Sequence, residues 1–383
     1  MQNQDRLLRC LASADITPDS LKHLVEEIGP ELDWAYFFNQ ARREGVLALA
    51  FNNLSRIESA DRLIPEETRK QMKSFYYTVA ARNSLLSEQL KKLLSAFNQA
   101  GIKLILLKGI ALAHTVYPNI ALRPMDDIDI LVRREDLPAA NQVLISLGYL
   151  SPANYEDSLV SSPDSSINTL VYGGGRTATF FIHLHWHLIN TTWPLGRLVS
   201  AIDMQRIWSA ALPLKIEGSN TWKLLPEHQL IYLCQHAFAH GFKRLILIYD
   251  IAQVLRTYQE QLDWDLVIQE AQRFNLSQIL YCSLRLTSRL LDYDIPALNR
   301  LRPVHFSLFE RMLSYFISRG IRSQKLSYLT YLSMQGWFFG KLRFIARTVF
   351  PPPDIMAHKL TLPLSQINSG HYYRRLVHIF FKS

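Results

Sequence analysis

The chain has 383 residues, of which 48% are hydrophobic and 20% charged, and carries a formal net charge of +9 at pH 7. That length exceeds what one hydrophobic core usually serves and predicts two or three domains of ordinary globular composition. No run of 18 apolar residues is free of charge, the start lacks the basic-then-apolar order of a signal peptide, and Cys10, Cys234 and Cys282 lie far apart. The expectation is a cytoplasmic protein without a transmembrane helix, a disulfide frame or a Cys-based zinc site.

Residues 1–84 read as a helical region. Apolar positions three and four apart recur in LLRCLAS and in ELDWAYFFNQARREGVLALAFNNL, and again in a long run from PEETRKQ to AFNQAG. Pro65 followed by Glu66 and Glu67 suits a helix start, since proline fits the first turn and acids favour the dipole there; Gly101 suits its end.

The pattern changes over residues 85–190, which read as a compact α/β unit. Residues 102–107 form a short apolar run of strand type, 110–116 a short helix, 128–132 a second strand and 134–147 a helix closed by Gly148. Residues 167–172 and 177–186 read as two strands joined by Gly173-Gly174-Gly175. Asp127 and Asp129 stand two apart in the second strand, so both carboxylates face one side while Ile128, Ile130 and Val132 face a core. Asp126 falls on the opposite face or in the preceding loop. Two carboxylates on one face repel unless a cation lies between them, and magnesium, with manganese as a substitute, takes such oxygen ligands together with substrate phosphates. Gly109 opens a helix directly after a strand, where backbone N–H groups and the helix dipole attract phosphate. Lys108 beside it supplies a charge, and Arg123 offers a bidentate clamp for a triphosphate.

His183, His185 and His187 alternate along the last strand and should line one side of it. Three imidazoles can form a zinc set, but three successive alternate positions on one strand reach a single ion with difficulty, and a row facing substrate beside the Asp pair is the better reading.

After Pro194 the chain returns to helix, and residues 191–300 read as a bundle of periodic segments with short connections, beginning at Pro226. His236 and His240 share one helical face without an HExxH glutamate and read as a packed pair. Asp250, inside the apolar run LILIYDIAQVL, needs a partner, for which Arg244 and His240 are the near candidates. Pro296 and Pro303 bracket a break before a basic helical region, 301–383, with twelve Lys or Arg against only Glu310 and Asp354. Phe338, Leu342, Ile345 and Val349 form one stripe there, with Lys341, Arg343 and Arg347 off it. Packing of that stripe on the protein's own body is the plainer expectation; a membrane-surface helix or a groove for RNA is the alternative.

The block KGIALAHTVYPNIALRPMDDIDILVRREDL resembles the signature of the uncharacterised nucleotidyltransferase family, within the DNA-polymerase-beta-like nucleotidyltransferase superfamily. The resemblance continues through FIHLHWHL and LPEHQLIYLCQHAFAHGFKRLILIYDIAQVL, over roughly residues 30–300. It implies an α+β fold in which a small mixed-sheet core is embedded in mostly helical N- and C-terminal regions. It also implies transfer of a nucleoside monophosphate from Mg-NTP, such as ATP, to an acceptor hydroxyl of a small molecule, protein or RNA, with release of pyrophosphate. By this match Lys108 and Gly109 fall in the phosphate-binding turn and Asp127 and Asp129 on the metal ligands. Two departures stand out. Ile110 follows Gly109 where the superfamily usually has serine, and His183 stands where a third carboxylate is expected, with Asp157 and Asp164 poor substitutes in a loop. His183 and His185 are then the residues facing the acceptor or assisting proton removal. The same departures leave two other readings open: a catalytically degenerate nucleotide-binding or scaffold protein of this fold, and an RNA- or membrane-surface protein acting through its basic C-terminal region.

Overall fold

The computed structural model of the chain describes residues 2–12, 18–28, 32–57, 63–159, 167–173, 180–191, 193–302, 308–319, 321–336, 338–360 and 362–381. Its organising element is a six-stranded mixed sheet of β1 (Ile105–Leu107), β2 (Asp127–Leu131), β3 (Thr169–Tyr172), β4 (Phe181–His185), β5 (Leu212–Ile216) and β6 (Ser219–Lys223), in the order β3-β4-β2-β1-β6-β5. β2 runs antiparallel to β1 and parallel to β4, and β1 runs parallel to β6. The α+β class read from the sequence is therefore the class of the fold.

Strand alternation divides the core in two. Leu106, Ile128, Ile130, Ile182 and Leu184 point to one face and pack with Leu86, Leu90, Leu94 and Phe97 of the helix Glu66–Gln99. Ile105, Leu107 and Leu131 point to the other face and join a larger core with the helices Pro226–Ala239, Leu245–Thr257 and Ser277–Leu291. Asp127 and Asp129 share the parity of Leu131, so they face the helical bundle.

The long helix ends as its sequence predicts. Gly101 adopts φ +71°, and the Ile102 N–H returns to the Phe97 carbonyl at 3.0 Å, which turns the chain into β1. The helix runs unbroken across residue 84, with Asn83 and Leu86 both buried on it. Asn83, on this helix, donates to the Arg123 carbonyl at 2.9 Å and fixes the loop that leads into β2.

Two expectations need correction. The stretch after Pro194 is not helical throughout: β5 and β6 form a hairpin whose turn residues, Glu217 and Gly218, both have positive φ, and β6 extends the sheet along β1. Most of the stripe Phe338, Leu342, Ile345 and Val349 does not pack on the body of the protein: the first three are exposed and Val349 is half-buried. The helix Phe338–Val349 instead buries Phe344, against Tyr328 at a ring separation of 5.2 Å. The turn at Gly174 and Gly175, and Pro303, lie outside the described residues. No helix among the described residues is long and apolar enough to cross a membrane.

Among the contacts that clasp the C-terminal region to the body, one is a partly buried ion pair. The Arg322 guanidinium makes a two-pronged pair with Glu44, at 2.6 Å for each contact, and Glu44 also accepts from the Leu245 N–H at 2.6 Å. Gly241, at φ +62°, lies so close that a Cβ there would collide with the backbone of Ser323 and Gln324. Gly218 also has positive φ, +81°, but a Cβ there would meet nothing within 4 Å. Gly218→Ala should therefore cost about 1 kcal/mol for the left-handed backbone alone. Gly241→Ala should cost more than about 2 kcal/mol, because the clasp must open as well. Urea unfolding of the two variants measures the difference, and equal losses would show that the clasp contributes nothing.

Candidate active site

The site forms where β1, β2 and β4 lie side by side. Strand register sets Leu107 and His183 opposite Asp129 on its two sides, and His185 opposite Leu131. Lys108, immediately after β1, adopts φ +48°, a left-handed conformation that costs a non-glycine residue roughly 1 kcal/mol. The geometry that results brings its Nζ to 2.7 Å from Asp129 Oδ1. His185 Nε2 reaches the same oxygen at 2.8 Å. His183 Nδ1 lies 3.4 Å from Asp127 Oδ2 and 3.5 Å from Asp129 Oδ1, between the two carboxylates.

The two aspartates differ in setting. The Asp129 side chain is 4% exposed and that of Asp127 37%. Burial alone would push the Asp129 carboxyl up, but Lys108 and the two histidines outweigh it and hold Asp129 well below the usual carboxylate range. Asp127 moves the other way, raised first by burial and then by the charge of Asp129. His185 is pushed down to about 4 by burial and by Lys108, so it is neutral at pH 7. Its Nε2 then donates to Asp129, and its Nδ1 is buried with no hydrogen-bond partner. Asp129, His183 and His185 together form a group able to hold a metal ion, with one donor atom from each lying within 4.8 Å of the others.

These residues line the inner end of a cavity of about 590 Å³ between the sheet and the helix Pro226–Ala239. Tyr232, His236 and His240, spaced four apart, present one stripe of that helix to the cavity. The His236 and His240 rings pack edge to face at 4.6 Å, as the packed pair read from their spacing. Burial, Lys108 and His240 hold His236 well below its ordinary range. Lys243 and Arg244, exposed on the loop that follows, stand at the outer end with Gln324 and His358 of the C-terminal region. Sequence reasoning missed Tyr232, Lys243 and Arg244; for Tyr232 the signal was its spacing of four from His236 on the helix Pro226–Ala239, and for Lys243 and Arg244 it was their place in the loop just after His240.

The residues singled out from sequence do not all meet. Lys108, Asp127, Asp129, His183 and His185 converge as described. Gly109 lines the cavity, and a Cβ there would lie 3.2 Å from Met125 Cγ and 3.6 Å from Arg123 Nη1. Arg123 also borders the cavity, but its guanidinium is taken by Asp250: Nε and Nη2 each donate to that carboxylate at 2.8 Å, and Tyr117 adds its hydroxyl at 2.7 Å. The partner of Asp250 is thus Arg123 and not Arg244 or His240. Asp126 sits in the loop before β2 and pairs with Arg82 at 3.1 Å. His187 lies past the end of β4, where its Nδ1 accepts from the Ile189 N–H at 2.9 Å, so the three histidines do not form one row. Asp157 accepts from the Leu364 N–H at 2.7 Å, and Asp164 lies outside the described residues.

A family model described as an uncharacterised nucleotidyltransferase matches residues 30–292, well over half of the chain. Among solved structures, the chain is similar to an antigenic nucleotidyltransferase-like protein from Paracoccidioides brasiliensis. The identity is 15%, over 54% of this chain and 91% of that one, with a TM-score of 0.28, an overlap too small to establish a common fold. No curated protein matches.

The Arg123–Asp250 pair is nearly excluded from solvent, with side-chain exposures of 13% and 2%. Removing one member strands the other charge, so Asp250→Ala should lower stability by about 3–5 kcal/mol. The double variant Arg123→Met/Asp250→Leu should lose clearly less. Denaturant titration of both decides, and a double variant as damaged as the single one would show that packing matters there more than charge.

Proposed function

The chain belongs to the uncharacterised nucleotidyltransferase family, and from that premise we propose that it moves a nucleoside monophosphate from a metal-bound NTP, such as ATP, to an acceptor hydroxyl, releasing pyrophosphate. The observation that carries this reading is the convergence of Lys108, Asp127, Asp129 and His183 at the inner end of a cavity of about 590 Å³, a volume that suits a nucleotide. Magnesium or manganese held by Asp127 and Asp129 would neutralise phosphate charge and polarise the reacting oxygens. Asp127 and Asp129 face the same cavity from alternate positions of β2, a pair whose repulsion a divalent cation would relieve.

The protein's own groups do the remaining work. Lys108 exchanges Asp129 for a phosphate oxygen, and the backbone beside Gly109 meets phosphate at a helix N-terminus. Arg123 acts through Asp250 as a positioning residue for the loop into β2. Lys243 and Arg244 supply the outer phosphates with the charge that Arg123 does not. The acceptor oxygen forms its bond to the α-phosphorus as the bond to the pyrophosphate oxygen breaks. The hydroxyl proton passes to His183, whose Nδ1 stands between the two carboxylates. His185 keeps Asp129 in place.

One observation favours a second reading, a nucleotide-binding protein without transferase activity: a histidine, not an acid, stands in register opposite Asp129. Under the first reading His183→Asp lowers pyrophosphate release, and His183→Ala lowers it about a hundredfold. Under the second His183→Asp raises it.

Binding is tested by calorimetry with non-hydrolysable ATP and GTP analogues, with and without magnesium or manganese. Metal-dependent binding is expected in the wild type and is lost in Asp127→Ala/Asp129→Ala. Lys243→Ala/Arg244→Ala should weaken it by about tenfold or more. A wild type that binds neither analogue contradicts both readings.

A further inference from the structure

The helix Phe338–Val349 exposes the apolar side that an amphipathic helix normally buries. Phe338 and Phe339 are 65% and 75% exposed, Leu342, Ile345 and Phe350 are exposed as well, and Phe344 faces inward from the opposite side. Phe338, Leu342 and Ile345 recur at four and three residues, one stripe along the outer surface that ends at the half-buried Val349. Lys341 and Arg343 flank that stripe, Arg347 lies behind it, and all three are exposed. No acid occurs between Glu310 and Asp354, a span with seven Lys or Arg, of which Arg322 is neutralised by Glu44.

We infer that this helix docks the protein on an anionic lipid surface, lying in the plane of the headgroups with Phe338, Leu342 and Ile345 among the acyl chains and Lys341 and Arg343 at the phosphates. The arrangement is that of an interfacial helix, in which apolar insertion and attraction to anionic lipid act together. A second copy of the chain fits the face poorly: stripe against stripe would gather the cations of both helices with no acid to pair them. A nucleic acid fits poorly too. Phe338 and Phe339 meet edge on, with ring planes 73° apart, and do not form a flat stacking platform. The inference is independent of nucleotidyl transfer and stands or falls separately from it.

The test is co-sedimentation of the full chain with phosphatidylcholine vesicles and with vesicles also containing about 30 mol% phosphatidylserine, at near-physiological salt. Binding is expected to the phosphatidylserine vesicles and to be weak on phosphatidylcholine alone. Lys341→Glu/Arg343→Glu/Arg347→Glu, and separately Phe338→Ser/Phe339→Ser/Leu342→Ser, should each reduce it at least about tenfold. All six side chains are exposed, so both variants should melt as the wild type does by circular dichroism. Wild-type protein that ignores the anionic vesicles overturns the inference, whether or not the same substitutions abolish a dimer seen by light scattering or a shift with RNA. Binding that survives both variants overturns it as well.

Discussion

Asp129 is a charge that the fold can bury only by surrounding it. A carboxylate this far from solvent is strongly unfavourable without donors, and three side chains converge on it: Lys108 just past β1, and His183 and His185 on β4. Each comes from a strand next to β2, so the polar centre and the register of β1, β2 and β4 are one constraint. A one-residue slip of β2 would turn Asp129 into the core of Ile128 and Ile130 and carry those side chains into the cavity. The left-handed backbone at Lys108 is understandable on the same terms, as local strain offset by the ion pair it permits.

A second buried charge joins the sheet to the helical bundle. Arg123 leaves the loop before β2 and meets Asp250 on the helix Leu245–Thr257, while Asn83 holds the carbonyl of the same arginine from the long helix. Three parts of the chain far apart in sequence are thereby fixed around the mouth of β2. The helix Pro226–Ala239, packed against Leu245–Thr257, then closes the cavity with Tyr232, His236 and His240. The space for a ligand lies between the sheet, where Asp129 and its partners sit, and the bundle, to which Arg123 and Asp250 tie the loop before β2.

Much of this was legible because it depends on local period. The DxD pair on β2 had to share a face, Gly101 had to end a helix, and the register confirms that His183 stands next to Asp129. What escaped depends on distance or on a choice between faces. Asp250 lies 127 residues from Arg123, and nothing near it in sequence names that partner. The β5–β6 hairpin was signalled by the alternation of Leu212, Leu214 and Ile216 before Gly218, but a short run containing Pro213 is easily absorbed into neighbouring helix. In the C-terminal helix the period of Phe338, Leu342 and Ile345 is plain in the sequence. Periodicity does not say which side meets the protein, and the single ring of Phe344 took the inner one.

On the proposed function, Asp127, Asp129 and Lys108 would hold a metal-bound triphosphate. The most direct measurement is a crystal structure of the chain with manganese and a non-hydrolysable NTP, read through the anomalous signal of manganese. The expected result is a manganese peak between Asp127 and Asp129, with Lys108 Nζ moved from Asp129 to a phosphate oxygen. A nucleotide bound outside the cavity, or no manganese at the two carboxylates with the Lys108–Asp129 pair intact, would contradict it.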